Sequence, residues 1–161
     1  MRIEIVSYRP EHFEGVDSLW REAFPDDPPK NRAAAAIPAK LAVQPELFLV
    51  ALEADRVVGT TMAGYDGHRG WLYSVAVSTS HRRRGVGAQL VGEAERRLAA
   101  LGCPKVNLQV RPANSGVVGF YRTLGYAIEE RIGLGKSLHD DGVSRDQAPM
   151  VASRRRRTVA T

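Results

Sequence analysis

The sequence predicts an α/β domain of the α+β kind, and three observations predict it. Strand-like and helix-like periodicities alternate from residue 3 to residue 138. Apolar, β-branched segments between Leu47 and Val77 are separated only by short polar turns, which makes them hairpin neighbours. Finally, a basic, glycine-containing loop joins the last of these strands directly to a helix start, an arrangement that gathers backbone N–H groups around an anion.

Ile3, Ile5 and Val6 alternate with charged residues and form the first strand. Pro10 opens a helix to Phe24, in which Phe13, Val16, Leu19, Trp20 and Phe24 make a core-facing stripe. Three prolines in Pro25–Pro29 force a loop, and Asn31 caps a second helix running to about Val43, which Pro38 should kink or divide. Leu47–Leu52 and Val57–Tyr65 form a hairpin about a polar turn. A second turn, Asp66–Gly70, leads into a strand over Trp71–Val77. A helix follows from Ala88 to Leu101, with Leu90, Val91, Ala94, Leu98 and Leu101 on one face and Gly102 and Pro104 at its end. Lys105–Val110 alternates as a strand, Asn114 is placed to cap a helix over Val117–Leu124, and Gly125 stops it. Tyr126–Leu134 returns to strand, and Gly135–Leu138 closes a last hairpin. The expected domain is therefore 1–138, followed by a polar, Arg-rich, flexible tail over 139–161.

The chain has 161 residues with 23 Lys/Arg against 18 Asp/Glu, a net charge of +5. One domain with a substantial core fits that length. No apolar run reaches a membrane span, and the opening Met-Arg-Ile-Glu lacks a signal peptide's apolar core, so a cytoplasmic protein without membrane contact is expected. The single Cys103 excludes an internal disulfide, and the four scattered histidines have no metal-ligand spacing, so no metal is expected. The Arg154–Arg157 run reads as a solvated chain end, and nucleic acid is a minor alternative to be tested by salt dependence. A nucleotide-binding Walker loop is excluded by Ala88-Gln89 where Lys-Ser/Thr is required. A dinucleotide fingerprint is excluded by Leu90 and Lys105, where it needs a small and an acidic residue.

The element order, the loop Arg82-x-x-Gly85-x-Gly87 behind Val75-Ala-Val77, and Asn114 seven residues before Tyr121 in Phe120-Tyr-Arg-Thr-Leu-Gly-Tyr126 together resemble the GNAT superfamily of N-acetyltransferases. Gly64–Gly70, Gly102–Lys105 and Leu134–Lys136 look most like its YpeA branch of bacterial acetyltransferases. The resemblance implies a mixed, mostly antiparallel central sheet with helices on both faces, and acetyl-CoA as the acyl-donating cosubstrate. It further implies acetyl transfer to a primary amine, a peptide or protein N-terminus or a small molecule, by direct attack. A non-catalytic acyl-CoA-binding regulatory module is the alternative, and a homodimer is allowed without a marked interface.

By the same resemblance, backbone groups of Val75, Ala76 and Val77 bind the pantetheine arm as an added strand. The segment Arg82, Arg83, Arg84, Gly85, Val86, Gly87 and Ala88 cradles the pyrophosphate. The sequence does not rank the three arginines. Asn114 corresponds to a position that bonds to the arm, and its reading as a helix cap stands beside that role. Tyr121 corresponds to the tyrosine proposed to protonate the departing thiolate, with a core aromatic as the other reading. A backbone N–H near Val77 would stabilise the tetrahedral oxyanion. Relatives often carry a Glu on the strand over Trp71–Val77, and none is present here. Tyr73, Glu53, Asp66 and His68 are the candidate bases, and Tyr65, Asp66, His68 and Tyr73 form the substrate-side set. Asp26 and Asp27 are placed to attract a cationic amine or simply to be solvated.

Overall fold

The computed structural model describes residues 2–139. Five strands form one sheet in chain order: β1 (Ile3–Ser7), β2 (Phe48–Glu53), β3 (Arg56–Tyr65), β4 (Gly70–Val77) and β5 (Val106–Asn107). All pairs are antiparallel except β4 with β5. The sheet is the mixed, mostly antiparallel one expected, and its faces explain the sequence pattern. Leu49 and Ala51 of β2 pack with Leu90, Val91, Ala94 and Leu98 of α3 (Val86–Ala100). Phe48 and Val50 point the other way, onto Val16, Leu19 and Trp20 of α1 (Phe13–Ala23) and Ala33 and Ile37 of α2 (Ala33–Leu41). A strand covered on both faces needs no polar alternation, hence the continuous apolar run.

Several boundaries differ from expectation for local reasons. Pro10–His12 is a 3₁₀ turn ahead of α1, and Pro29–Asn31 is another ahead of α2, so Arg32 rather than Asn31 occupies the cap position. Pro38 lies inside α2 without dividing it, since one missing N–H costs a nine-residue helix a single bond. The helix α3 starts two residues earlier than expected, at Val86, because Gly85 takes the left-handed turn (φ 77°) that redirects the chain. Leu101 falls on the cap of α3, where the chain turns away through Gly102, and is 48% exposed instead of core-facing. The β2–β3 turn uses Ala54 and Asp55, both left-handed, as a two-residue hairpin of this twist requires.

The larger corrections lie after β5. Only Val106 and Asn107 of the expected Lys105–Val110 strand pair with β4. The compact unit ends at Tyr126, and a second unit begins at Ala127. Neither the expected strand to Leu134 nor the hairpin at Gly135–Leu138 is present, for residues 127–139 hold no helix or strand. Glu129-Glu130-Arg131 interrupts the apolar alternation and Gly133 and Gly135 weaken it. The apolar side chains left, including Ile132 at 91% and Leu134 at 95% exposure, bury too little to offset the entropy of ordering a strand. The Arg154–Arg157 run lies outside the described residues.

Candidate active site at the β4 edge

The site is a consequence of two irregularities in β4. First, its pairing with β5 is confined to Gly70↔Val106 and Trp71↔Asn107, so among the described residues the β5-facing edge from Leu72 to Val77 has no strand partner. Second, the β3–β4 register jumps from Thr60↔Ala76 to Met62↔Tyr73, leaving one extra residue in β4 at Ser74–Val75. Ser74 takes the left-handed region (φ 49°) to accommodate that bulge. The result is an edge of backbone donors and acceptors, re-aimed by the bulge, that continues into the basic loop.

The loop is held from below. Ser78 N–H bonds to Val58 O (2.8 Å), and Glu22 of α1 accepts from both the backbone N–H (3.1 Å) and hydroxyl (2.8 Å) of Thr79. His81 is 7% exposed and places Nε2 2.7 Å from Glu53, while its Nδ1 lies 2.8 Å from Ser80 Oγ. A carboxylate can only accept, so that Nε2 carries a proton. Glu53 also accepts from Arg84 at 2.8 Å. The hydrogen bonds from His81 and then Arg84 hold its carboxyl below the usual range. Glu53 is thereby committed to bracing the loop. Of the three arginines, Arg84 is paired with Glu53, whereas Arg82 and Arg83 are exposed and make no ion pair among the described residues.

Gly85 turns the chain so that the amides of Val86, Gly87 and Ala88 begin α3 without intrahelical acceptors, the ladder starting with Gln89 N–H to Gly85 O (3.0 Å). Gly87 serves close approach: a Cβ there would lie 3.1 Å from Phe120 Cζ and 3.6 Å from Val77 Cγ2. Strand end, helix start and α4 (Val118–Thr123) thus converge at one point. Phe120 meets Tyr121 edge-on at 5.0 Å, and Tyr121 meets Tyr126 at 5.7 Å. Burial pushes the Tyr121 phenol above its ordinary pKa. Asn114 sits in the 3₁₀ segment Pro112–Val117, and α4 is capped by Val117 with no side-chain bond, so Asn114 is not the cap of α4. Its side chain is exposed on this loop.

The substrate-side set is not gathered in one place. Tyr65, Asp66 and His68 lie on the β3–β4 turn, at the opposite end of β4 from the basic loop. The Asp66 carboxylate accepts the backbone N–H groups of His68 and Arg69, both at 2.7 Å. Those bonds, Arg69 first, lower its pKa and shape the turn. Tyr65 leans on α3's end, its hydroxyl lying 3.3 Å from Gly67 O and 3.4 Å from Gly102 O, two carbonyls that share its one proton. Tyr73 alone is beside the bulge, 56% exposed, with its pKa raised by burial and then by the charge of Asp66. It follows Leu72, which faces α3, and pairs with Met62, which faces α1 and α2, so it projects on the α1–α2 side. Asp27 is bonded to Arg111 at 3.0 Å across the loops and is no longer a free carboxylate for an amine. Cys103 packs against Gly70 and donates to Lys105 O (3.3 Å). No cluster of metal-ligating side chains occurs among the described residues, and no helix there is long and apolar enough to cross a membrane.

A sheet edge left open beside a helix N-terminus can take an extended ligand that carries an anionic group, and comparison with known proteins gives the family. The family model described as acetyltransferase (GNAT) family matches residues 13–126. An acetyltransferase of Pectobacterium atrosepticum is 42% identical over 139 residues, covering 86% of this chain and 98% of its own length. One from Sodalis glossinidius is 42% identical over 140 residues, covering 86% and 98%. Among solved structures, Ard1 from Thermoplasma volcanium superposes with a TM-score of 0.72 at 25% identity, over 80% of this chain and 85% of its own. The fold is also that of AAC(6')-Iy, solved with a CoA-containing bisubstrate analogue (TM-score 0.71, 20% identity, 85% and 99% covered). The chain belongs to the GNAT acetyltransferase family and is an enzyme that transfers acyl groups.

Proposed function

We propose that this enzyme transfers the acetyl group of acetyl-CoA to the nitrogen of a primary amine by direct attack. The observation that carries the reading is the unpartnered edge Leu72–Val77, bulged at Ser74 and running into the free amides of Val86–Ala88. Val75, Ala76 and Val77 would bond the pantetheine arm as a strand, with Asn114 contributing from the facing loop. The pyrophosphate would lie on the first turn of α3, attended by Arg82 or Arg83, with the helix end adding roughly 0.3–1 kcal/mol.

In the reaction, the amine nitrogen bonds to the thioester carbonyl, the oxyanion is held by a backbone N–H near Val77, and the C–S bond then breaks. Tyr121 supports the leaving thiolate. A free phenol near 10 against a thiol near 8.5 makes full proton transfer uphill by about 2 kcal/mol, and burial of Tyr121 increases the gap. Its part is therefore a hydrogen bond strengthening as the thiolate forms, the amine's own proton ending on sulfur or solvent.

Both carboxylates among the candidate bases are committed, and this bears on the acceptor. Glu53 is tied to His81 and Arg84, and Asp66 to its turn. An α-amine with pKa about 7.7–8.0 is roughly a tenth neutral at pH 7, whereas a lysine near 10.4 is less than about one part in a thousand neutral. An N-terminal or similarly weakly basic amine fits this site, entering past Tyr73. The YpeA-like segments Gly64–Gly70, Gly102–Lys105 and Leu134–Lys136 support placement in that bacterial branch, acting in the cytoplasm. Incubation with acetyl-CoA and a library of amines and peptides, read by mass spectrometry, tests the reading. Acetylated amines are expected. CoA binding with no product across the library would favour the regulatory-module alternative.

A further inference from the structure

We infer that the buried pair Trp20–Thr60 is a positioning device for the acyl donor: it fixes the β4 bulge that aims the Val75–Val77 edge. The inference rests on the reading of that edge as the acyl-CoA site. Trp20 is 4% exposed and Thr60 fully buried. Trp20 Nε1–H donates to Thr60 Oγ1 at 2.9 Å, and Thr60 Oγ1 lies 2.9 Å from Ser74 O. Indole N–H can only donate, and a carbonyl only accept, so the chain has one direction: Trp20 to Thr60 to Ser74. The carbonyl it ends on belongs to the left-handed residue of the bulge, where the β3–β4 register breaks.

Without that bond the Ser74 carbonyl would lose its partner, and β4 could relax toward regular pairing with β3. A one-residue slip reverses which face and which edge each following residue presents. Val75 and Val77 would then no longer offer the same groups to a ligand. The neighbouring Thr61 sharpens the argument. It is equally buried, yet its hydroxyl has no hydrogen-bond partner among the described residues. Two adjacent threonines in the middle of β3 thus take opposite faces of the sheet, and although Thr61 stands opposite the bulge in the register, it is the Thr60 hydroxyl that bonds to the bulge carbonyl.

Isothermal calorimetry with CoA, on the full chain, tests this with matched variants, alongside thermal melting. Wild type is measured first. Failure of wild type to bind CoA would remove the site reading and this inference with it. Thr60→Val should weaken CoA binding on the order of tenfold, the scale of one buried polar group left unsatisfied. Thr60→Ser, which keeps the hydroxyl, should restore wild-type affinity, and Thr61→Val should match wild type. Trp20→Phe, which removes the donor that orients Thr60, should weaken binding in the same direction and decides the matter if Thr60→Val does not fold. Wild-type affinity in a folded Thr60→Val or in Trp20→Phe, or equal losses in Thr60→Val and Thr61→Val, would overturn the inference.

Discussion

Gly85→Ala isolates the contribution of one backbone conformation. Gly85 sits at φ 77° and ψ 6° immediately before α3, and a Cβ built there meets nothing within 4 Å. The substitution therefore adds no clash, and its whole effect comes from the left-handed geometry. An L-residue in that region costs roughly 1–2 kcal/mol. Removing glycine's freedom from the unfolded chain offsets roughly 0.4–1 kcal/mol of this. The net loss is about 1 kcal/mol, a melting-temperature drop of about 2–4 °C for a chain of this size. The amides of Val86–Ala88 would point at the ligand only while that turn is held, so the cost is met once: a variant that keeps the turn loses it in stability, and one whose free form relaxes loses it in binding, where Kd for CoA should rise on the order of fivefold. Gly85→Asn should lose less, since asparagine tolerates the left-handed region. Melting curves and calorimetry with CoA give both numbers. A Gly85→Ala protein with wild-type stability and wild-type CoA affinity would refute the argument that this turn sets the cradle.

Tyr121→Phe should lower kcat on the order of a hundredfold while leaving CoA affinity near wild type, as measured by thiol release with an amine found in the library and by calorimetry. Arg82→Ala and Arg83→Ala together should weaken CoA binding and flatten its salt dependence. Arg84→Ala, whose guanidinium is committed to Glu53, should change the salt dependence less. Hydrogen bonding to Arg96, followed by Arg97, holds the Glu93 carboxyl at about 2, against an ordinary value of 4.5. A depressed carboxylate stabilises the fold fully above the unfolded value, and that contribution disappears as pH falls from about 4.5 toward 2. Glu93→Gln should therefore melt below wild type at neutral pH, and the gap should close on acidification, as followed by circular dichroism.

What was legible in the sequence was whatever a local pattern determines. The apolar run of β2 implied a strand covered twice, and Arg82-x-x-Gly85-x-Gly87 behind a β-branched strand implied a turn into a helix start. The structure places that turn between Val77 and α3. Long-range partners were not legible. Glu53, a candidate base in the sequence, is bound to His81 and Arg84, 28 and 31 residues away. Asp27 is bound to Arg111, 84 residues away. Trp20 read as one more member of the α1 stripe, because periodicity reports which face a side chain takes and says nothing of its indole N–H. A signal for Thr60 did exist: two consecutive hydroxyls in the middle of an otherwise apolar strand ask for partners. The strand expected after Tyr126 failed for a different reason. Alternation reports a face and not an area, and around Glu129-Glu130-Arg131 the apolar surface is too small to hold a strand.

The central claim is that the open edge of β4 and the first turn of α3 receive the acyl donor. Backbone amide resonances followed by NMR during titration with acetyl-CoA test it most directly. Saturable shifts are expected at Val75, Val77, Val86, Gly87 and Ala88, with the Asp66–Gly70 turn little affected. Shifts confined to other parts of the sheet, or no saturable binding, would contradict it.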